Sequence, residues 1–203
     1  MTATRPADTR RADAQRSRAL LLIAAADAFA TTENPTFKDI AKAAGVGIGT
    51  LFRHFPTREA LVEAVYRSEL DSLCDSASEL LATSAPEDAL RAWMAKWRTF
   101  VATKRGMGDV LQALAAAGSV TKTGTGAQLT EAISEIMEAG RAVGSLRGDV
   151  RSEDVTAALT GILVVAGSPD QEDQATRLLD LLLEGLKAKP NDSLPRDHGR
   201  SAG

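Results

Sequence analysis

Much of what a catalyst or an exported protein needs is scarce in this chain. Its 203 residues include one cysteine, Cys74, so an internal disulfide framework is excluded, and a lone thiol of this kind is expected as a small buried side chain before a redox switch. There are two histidines, His54 and His198, far apart in the sequence, and no cluster with metal-ligand spacing. No nucleophile motif appears, and the glycines at 124 and 126 lack the preceding strand and the lysine of a phosphate-binding loop. Hence no catalytic residue, no metal and no cofactor is expected, and the chain does not read as an enzyme. The opening MTATRPADTRRADAQR is polar, without the apolar stretch of a secretory leader. No run approaches the ~18 to 20 apolar residues that cross a bilayer, so a soluble cytoplasmic protein is expected. Aromatics make up 4%, whereas alanine and leucine abound, which favours helices over a β-sandwich.

What is present is ordinary in amount and uneven in placement. Hydrophobic residues are 44% and charged residues 25%, enough for one large or two modest domains with a buried core. The net charge is −3, but residues 1–58 hold nine Lys or Arg against five Asp or Glu, a local +4 that leaves −7 for the rest. A basic N-terminal module on an acidic body is the split expected of a nucleic-acid reader with a second domain of other function, although charge also fluctuates along any chain.

The organising stretch is Thr36 to Phe55, TFKDIAKAAGVGIGTLFRHF. Thr36 suits an N-cap, with Asp39 three residues on to meet free backbone N–H groups. Ile40, Ala41 and Ala44 follow at helical spacing. Gly45 suits the left-handed turn that ends a helix, Val46 fills the corner, and Gly47 can cap a second helix. There Leu51 and Phe55 point one way, and Thr50, Arg53 and His54 largely the other. Two short helices with an apolar inside and a small, polar, cationic outside make a helix-turn-helix.

At these residues the chain resembles the TetR family of one-component transcription regulators. Members typically read T-x-x-x-I-A-x-x-A-G-V-S-x-G-T-L-Y-x-Y/H-F-x-[ST]-[KR]-x-x-L. The matching residues here are Thr36, Ile40, Ala41, Ala44, Gly45, Val46, Gly49, Thr50, Leu51, Phe52, His54, Phe55, Thr57, Arg58 and Leu61. The likeness covers about residues 16–65. It implies that Thr50, His54 and Arg58 contact phosphates and that Lys38 and Arg53 reach bases, where an arginine can hold guanine in a bidentate manner. Thr36 belongs to the same surface. Gly47 and Gly49 keep the helix start slim, so that backbone N–H groups can approach DNA. Ile48 either touches a thymine methyl or packs at the edge. Two departures stand out: the family's usual serine is Gly47, and its usual tyrosine is Phe52, which keeps the ring and loses a phosphate donor.

Around this core the chain reads as helical throughout. Residues 1–15 carry arginines without apolar periodicity and read as a flexible basic arm, either touching DNA or simply solvated. A helix is expected from Arg16, with Leu22, Ile23, Ala26, Phe29 and Ala30 as its stripe, ending by Asn34-Pro35. Thr57 should cap a long helix to about Leu81. Ser84-Ala-Pro-Glu87 should open another that ends at Lys104-Arg105-Gly106. A short helix over 107–117, a loose connector over 118–126 and a helix from Leu129 past Val143 follow. Ser152 starts the next, within which Gly161 to Gly167 could be a buried strand by period alone; the upstream phase favours helix. Ser168-Pro-Asp-Gln171 should cap a last helix over 174–187, and 189–203 reads as a disordered tail.

The expectation is therefore an all-α protein of about nine helices. A three-helix head over 16–65 is joined by a long helix to a helical bundle over 66–188, which the resemblance implies binds a small molecule and dimerises. Trp93, Met94, Trp97, Phe100, Met107, Leu111 and Met137 would suit a deformable apolar pocket, or are plain core residues. Leu178, Leu179, Leu182 and Leu186 lie on a helix that is apolar nearly all round. With Ala158, Gly161, Ile162 and Val165 they would make a homodimer seam. The functional expectation is a ligand-responsive regulator, a repressor by preference, that binds a palindromic double-stranded DNA operator as a dimer and is released by a small-molecule effector. The alternative is a helical ligand- or partner-binding dimer without sequence-specific DNA binding.

Overall fold

In the computed structural model of the chain, residues 6–32, 34–119, 122–166 and 168–188 are described, with the backbone alone at 6–10, 122, 123 and 169. Among them are nine α-helices and no strand: α1 (Pro6–Thr31), α2 (Phe37–Ala43), α3 (Ile48–His54), α4 (Arg58–Leu81), α5 (Pro86–Gly106), α6 (Gly108–Ala116), α7 (Lys122–Ala142), α8 (Ser152–Val165) and α9 (Glu172–Leu186), the last preceded by a 3-10 turn over Pro169–Gln171. No helix among the described residues is long and apolar enough to cross a membrane. The expected tail over 189–203 and the first five residues of the expected arm lie outside the described residues.

The start of α1 corrects the sequence reading, which left 6–15 in the arm. Proline at the first helical position loses no needed N–H, and the alanines, arginines and glutamine after it form helix well without any apolar face. Its inward stripe is also shifted. Leu21, Leu22, Ala25 and Phe29 are buried, while Ile23 is 62% exposed and Ala30 lies outside too. Likewise α7 starts at Lys122, inside the expected connector, and α9 starts at Glu172. The stretch from Gly161 to Val165 is helical, as the upstream phase suggested.

The described residues pack as two compact units, and the division is not the one expected at 65/66. One unit takes in the described residues up to Asp75 together with those of Ala95–Leu129, and the other those of Ser76–Met94 together with the described residues from Thr130 on. The boundaries fall within α4, α5 and α7, so each of these helices contributes to both units. In the first unit α1, α2 and α3 pack on one another. Beyond them the buried Tyr66 sets its ring 5.7 Å from that of Phe100 and shares a 2.7 Å hydrogen bond with the Thr125 hydroxyl. Burial raises the Tyr66 phenol pKa, and the Thr125 bond opposes that. The end of α5 abuts α1 so closely that a Cβ on Gly106 would stand 1.7 Å from the Phe29 carbonyl oxygen.

In the second unit α8 packs on α9, and Val155, Leu159 and Leu163 of α8 and Ala175, Leu179, Leu183 and Leu186 of α9 are buried. The end of α9 is tied to the turn after α7, where the Arg147 N–H donates to Leu186 O at 2.9 Å and the Ala188 N–H to Ser145 O at 2.9 Å. Arg91 of α5 reaches Asp180 of α9 at 2.7 Å. That pair is half-exposed and adds at most about 1 kcal/mol.

Candidate nucleic-acid interface

Each end of the two short helices has a local cause. The Thr36 hydroxyl accepts the Asp39 N–H at 3.2 Å and donates to the Asp39 carboxylate at 2.5 Å, closing the first turn of α2. The helix stops in a Schellman turn: the Val46 N–H reaches Ala41 O at 3.0 Å and the Gly45 N–H reaches Lys42 O at 3.1 Å, with Gly45 at φ +67°. Gly47 then caps α3 without any side-chain bond. Leu51 and Phe55 anchor α3 inward at 0% and 2% exposure, each contributing about 1.5–3 kcal/mol by burial. The Thr57 hydroxyl accepts the Ala60 N–H at 3.2 Å to start α4, where a backbone N–H and then the Thr57 hydroxyl hold the Glu59 carboxyl below its usual range.

With that inner face fixed, the outer face follows. Lys38, Gly47, Gly49 and Arg53 are exposed, Ile48 is 43% and Phe52 50% exposed, and Thr50 and His54 lie half-exposed beside them. Thr36 is exposed at the adjoining start of α2. Nine of the ten expected contact residues are thus gathered around the outer side of α2 and α3. Arg53 is folded back along its own helix, with Nε 3.3 Å from Gly49 O and Nη2 3.0 Å from Thr50 Oγ1.

The tenth is placed differently. Arg58 turns into the head, donating from Nη1 to Pro35 O at 2.9 Å and lying over the Phe29 ring at 5.6 Å. Two neighbours escaped the sequence reading. Phe37 stacks at a tilt on Phe52, ring centres 5.3 Å apart, and Arg18 lies 5.4 Å over the Phe55 ring. Both are pairings across helices, for which a single sequence carries no signal.

All seven pocket candidates are buried, but Trp97, Phe100, Met107 and Leu111 fall in the first unit, and Trp93, Met94 and Met137 in the second. A groove of about 460 Å³ lies on the head between α1 and α2, lined by Leu20, Ile23, Ala28, Pro35 and Ala44, with Asp27 and Asp39 beside them. In the expected seam, Val165 is 67% exposed, Gly161 is exposed, and Ala158, Ile162, Leu178 and Leu182 are half-exposed. Leu179 and Leu186 correct the sequence reading: with Leu183 they form the inward stripe at i, i+4 and i+7, 8% and 3% exposed. Asp180 and Glu184 also break the ring of leucines, so α9 is amphipathic. Beside Val165, Val164 at 78% and Leu181 at 69% are also largely exposed. Cys74 is half-buried, and no group of His, Cys, Asp or Glu among the described residues could hold a metal.

Comparison with known proteins bears on both parts of the chain. Residues 21–65 match the family model of bacterial regulatory proteins of the tetR family, and residues 85–188 match that of the C-terminal domain of SbtR-like transcriptional regulators. The crystal structure of the TetR transcriptional regulator SCO0520 from Streptomyces coelicolor is 44% identical, with a TM-score of 0.78 over 85% of this chain and 99% of that one. A TetR regulatory protein from Mycobacterium vanbaalenii is 32% identical, with a TM-score of 0.69 over 88% and 99%. The HTH-type transcriptional regulator SAR0097 of Staphylococcus aureus is 33% identical over 76 residues, which span 36% of this chain and 40% of that relative's length.

Proposed function

This chain belongs to the TetR family of transcriptional regulators, which are not enzymes, and from that membership we propose that it is a ligand-responsive repressor that binds a palindromic operator as a homodimer. The observation that carries the DNA part is the outer side of α2 and α3. Lys38, Thr50 and Arg53 lie on it beside a helix start that no side chain caps, while Leu51 and Phe55 hold α3 from behind. Arg53 and Lys38 reach base edges, Thr50 and His54 meet phosphates, and Thr36, Gly47, Ile48, Gly49 and Phe52 complete the surface. Residues 16–65 act as the DNA-binding domain and 66–188 as the ligand-binding and dimerisation domain.

Dimerisation follows from a geometric need and an exposed surface. Two heads about one DNA turn apart read two half-sites, and the apolar residues left open on α8 and α9, Val164, Val165 and Leu181, give a second copy something to cover. Trp97 and Phe100 of α5, both buried within the first unit, supply apolar lining for an effector. An effector releases the DNA only if it prefers the arrangement in which the heads no longer fit the two half-sites, and α4 joins head to body in each protomer. Such a regulator works in the cytoplasm, on the chromosome.

Fluorescence anisotropy with duplexes flanking its own coding region, against scrambled duplexes and across a salt series, tests the reading. Tight binding confined to the flanking duplex, with a steep fall in affinity as salt rises, is expected. Equal and weak binding to both duplexes would sink the DNA part.

A further inference from the structure

The side chain of Arg58 is already occupied inside the head. The resemblance assigns this position to a phosphate. Instead its Nη1 donates to the Pro35 carbonyl at 2.9 Å, Nη2 lies 3.4 Å from Asn34 Oδ1, and the guanidinium carbon stands 5.6 Å from the centre of the Phe29 ring. All three partners lie between the last turns of α1 and the start of α2.

That turn has reason to be held. Asn34 has φ +55°, left-handed backbone that is uncommon for a residue with a side chain. Pro35 is buried and brings no N–H of its own. The next residue, Thr36, is the N-cap of α2. On the other side Phe29 is fixed in turn: it is 1% exposed, and its carbonyl oxygen fills the space where Gly106 has no Cβ. A planar fork thus grips the turn and stacks on a ring whose backbone rests on the end of α5.

We propose that Arg58 is a positioning residue, which clamps the Asn34–Pro35 turn onto Phe29 and so fixes how Thr36, α2 and the recognition helix α3 meet the DNA, without contacting a phosphate itself. This rests on the DNA-binding reading and names a residue that makes it work. The two roles make different demands on the side chain. A phosphate contact needs a mobile positive charge, which lysine supplies. The clamp needs two donors in a plane that also stacks, which lysine lacks.

The test uses the full-length chain, its Arg58→Lys and Arg58→Ala variants, and a duplex that the wild-type protein selects from a random-sequence library. Both variants are expected to lose at least about tenfold in affinity, the scale of one charge-assisted hydrogen bond. The slope of log affinity against log salt stays as in the wild type. In the free protein, amide exchange over residues 36–55 speeds up in both variants while α8 and α9 exchange as before. Should α8 and α9 also lose protection in Arg58→Ala, the milder Arg58→Lys variant decides. The proposal is overturned if Arg58→Lys binds like the wild type while Arg58→Ala lowers the salt slope by about 0.9, the signature of one phosphate contact. If the wild-type protein selects no duplex, the DNA-binding reading fails, and exchange in the free protein decides alone: unchanged rates over 36–55 in both variants overturn the clamp.

Discussion

Arg53 rests two of its donors on Gly49 O and Thr50 Oγ1, so a contact with a base must exchange those bonds for better ones. Arg53→Ala should therefore cost about 1–3 kcal/mol in specific binding and far less in binding to scrambled DNA, as read by competition anisotropy. Gly45 tests the turn itself. At φ +67° an alanine is strained although nothing stands within 4 Å of its Cβ, and Gly45→Ala should lower stability by about 1–2 kcal/mol in thermal unfolding. Such positions were legible in the sequence because their causes are local: a cap, a left-handed glycine, a residue type at a fixed offset. Arg58 and Phe37 were not, since their partners lie 23 and 15 positions away and only packing brings them close.

Among the elements, α9 shows how far periodicity alone can carry. Its leucines are dense enough to read as apolar all round. The structure divides them into an inward stripe of Leu179, Leu183 and Leu186 and an open position at Leu181. The two faces predict opposite behaviour. Leu183→Ala should lower stability by about 2–5 kcal/mol in denaturant unfolding, as for other buried leucines. Leu181→Asp should instead move the sedimenting species from dimer toward protomer, with helical content by circular dichroism retained. No change in sedimentation would argue against α9 as a seam. Helix starts were the weakest part of the sequence reading. The first ten residues of α1 and the first turn of α7 have no apolar stripe to announce them, and the threonines and glycine at the start of α7 are poor helix formers besides.

At the scale of the molecule, the fold class was plain from composition and phase, and the division into units was not. A break at 65/66 follows from where the family likeness stops, whereas packing cuts α4, α5 and α7 partway along, where the sequence shows no seam. One charge in the first unit ties its stability to pH. The Glu69 carboxyl has a raised pKa, chiefly because burial disfavours its ionised form and secondly because Asp27 is like-charged. A raised folded-state pKa favours the fold fully only below the unfolded value, and that contribution is lost as pH climbs through the folded value. Glu69→Gln should thus raise the melting temperature at neutral pH, with the gain fading toward about pH 4, where the unfolded glutamate takes up its own proton. A gain that persists undiminished in acid would show that ionisation is not its source.

The bare start of α3 has a last consequence, for anyone who would redirect the protein to another sequence. Nothing stands within 4 Å of where a side chain would begin at Gly47 or Gly49, and neither residue uses a left-handed backbone. The fold therefore leaves both letters unwritten. In a library randomised there and selected on DNA, whichever side chains are enriched or lost record the contours of the bound duplex and not the needs of the scaffold.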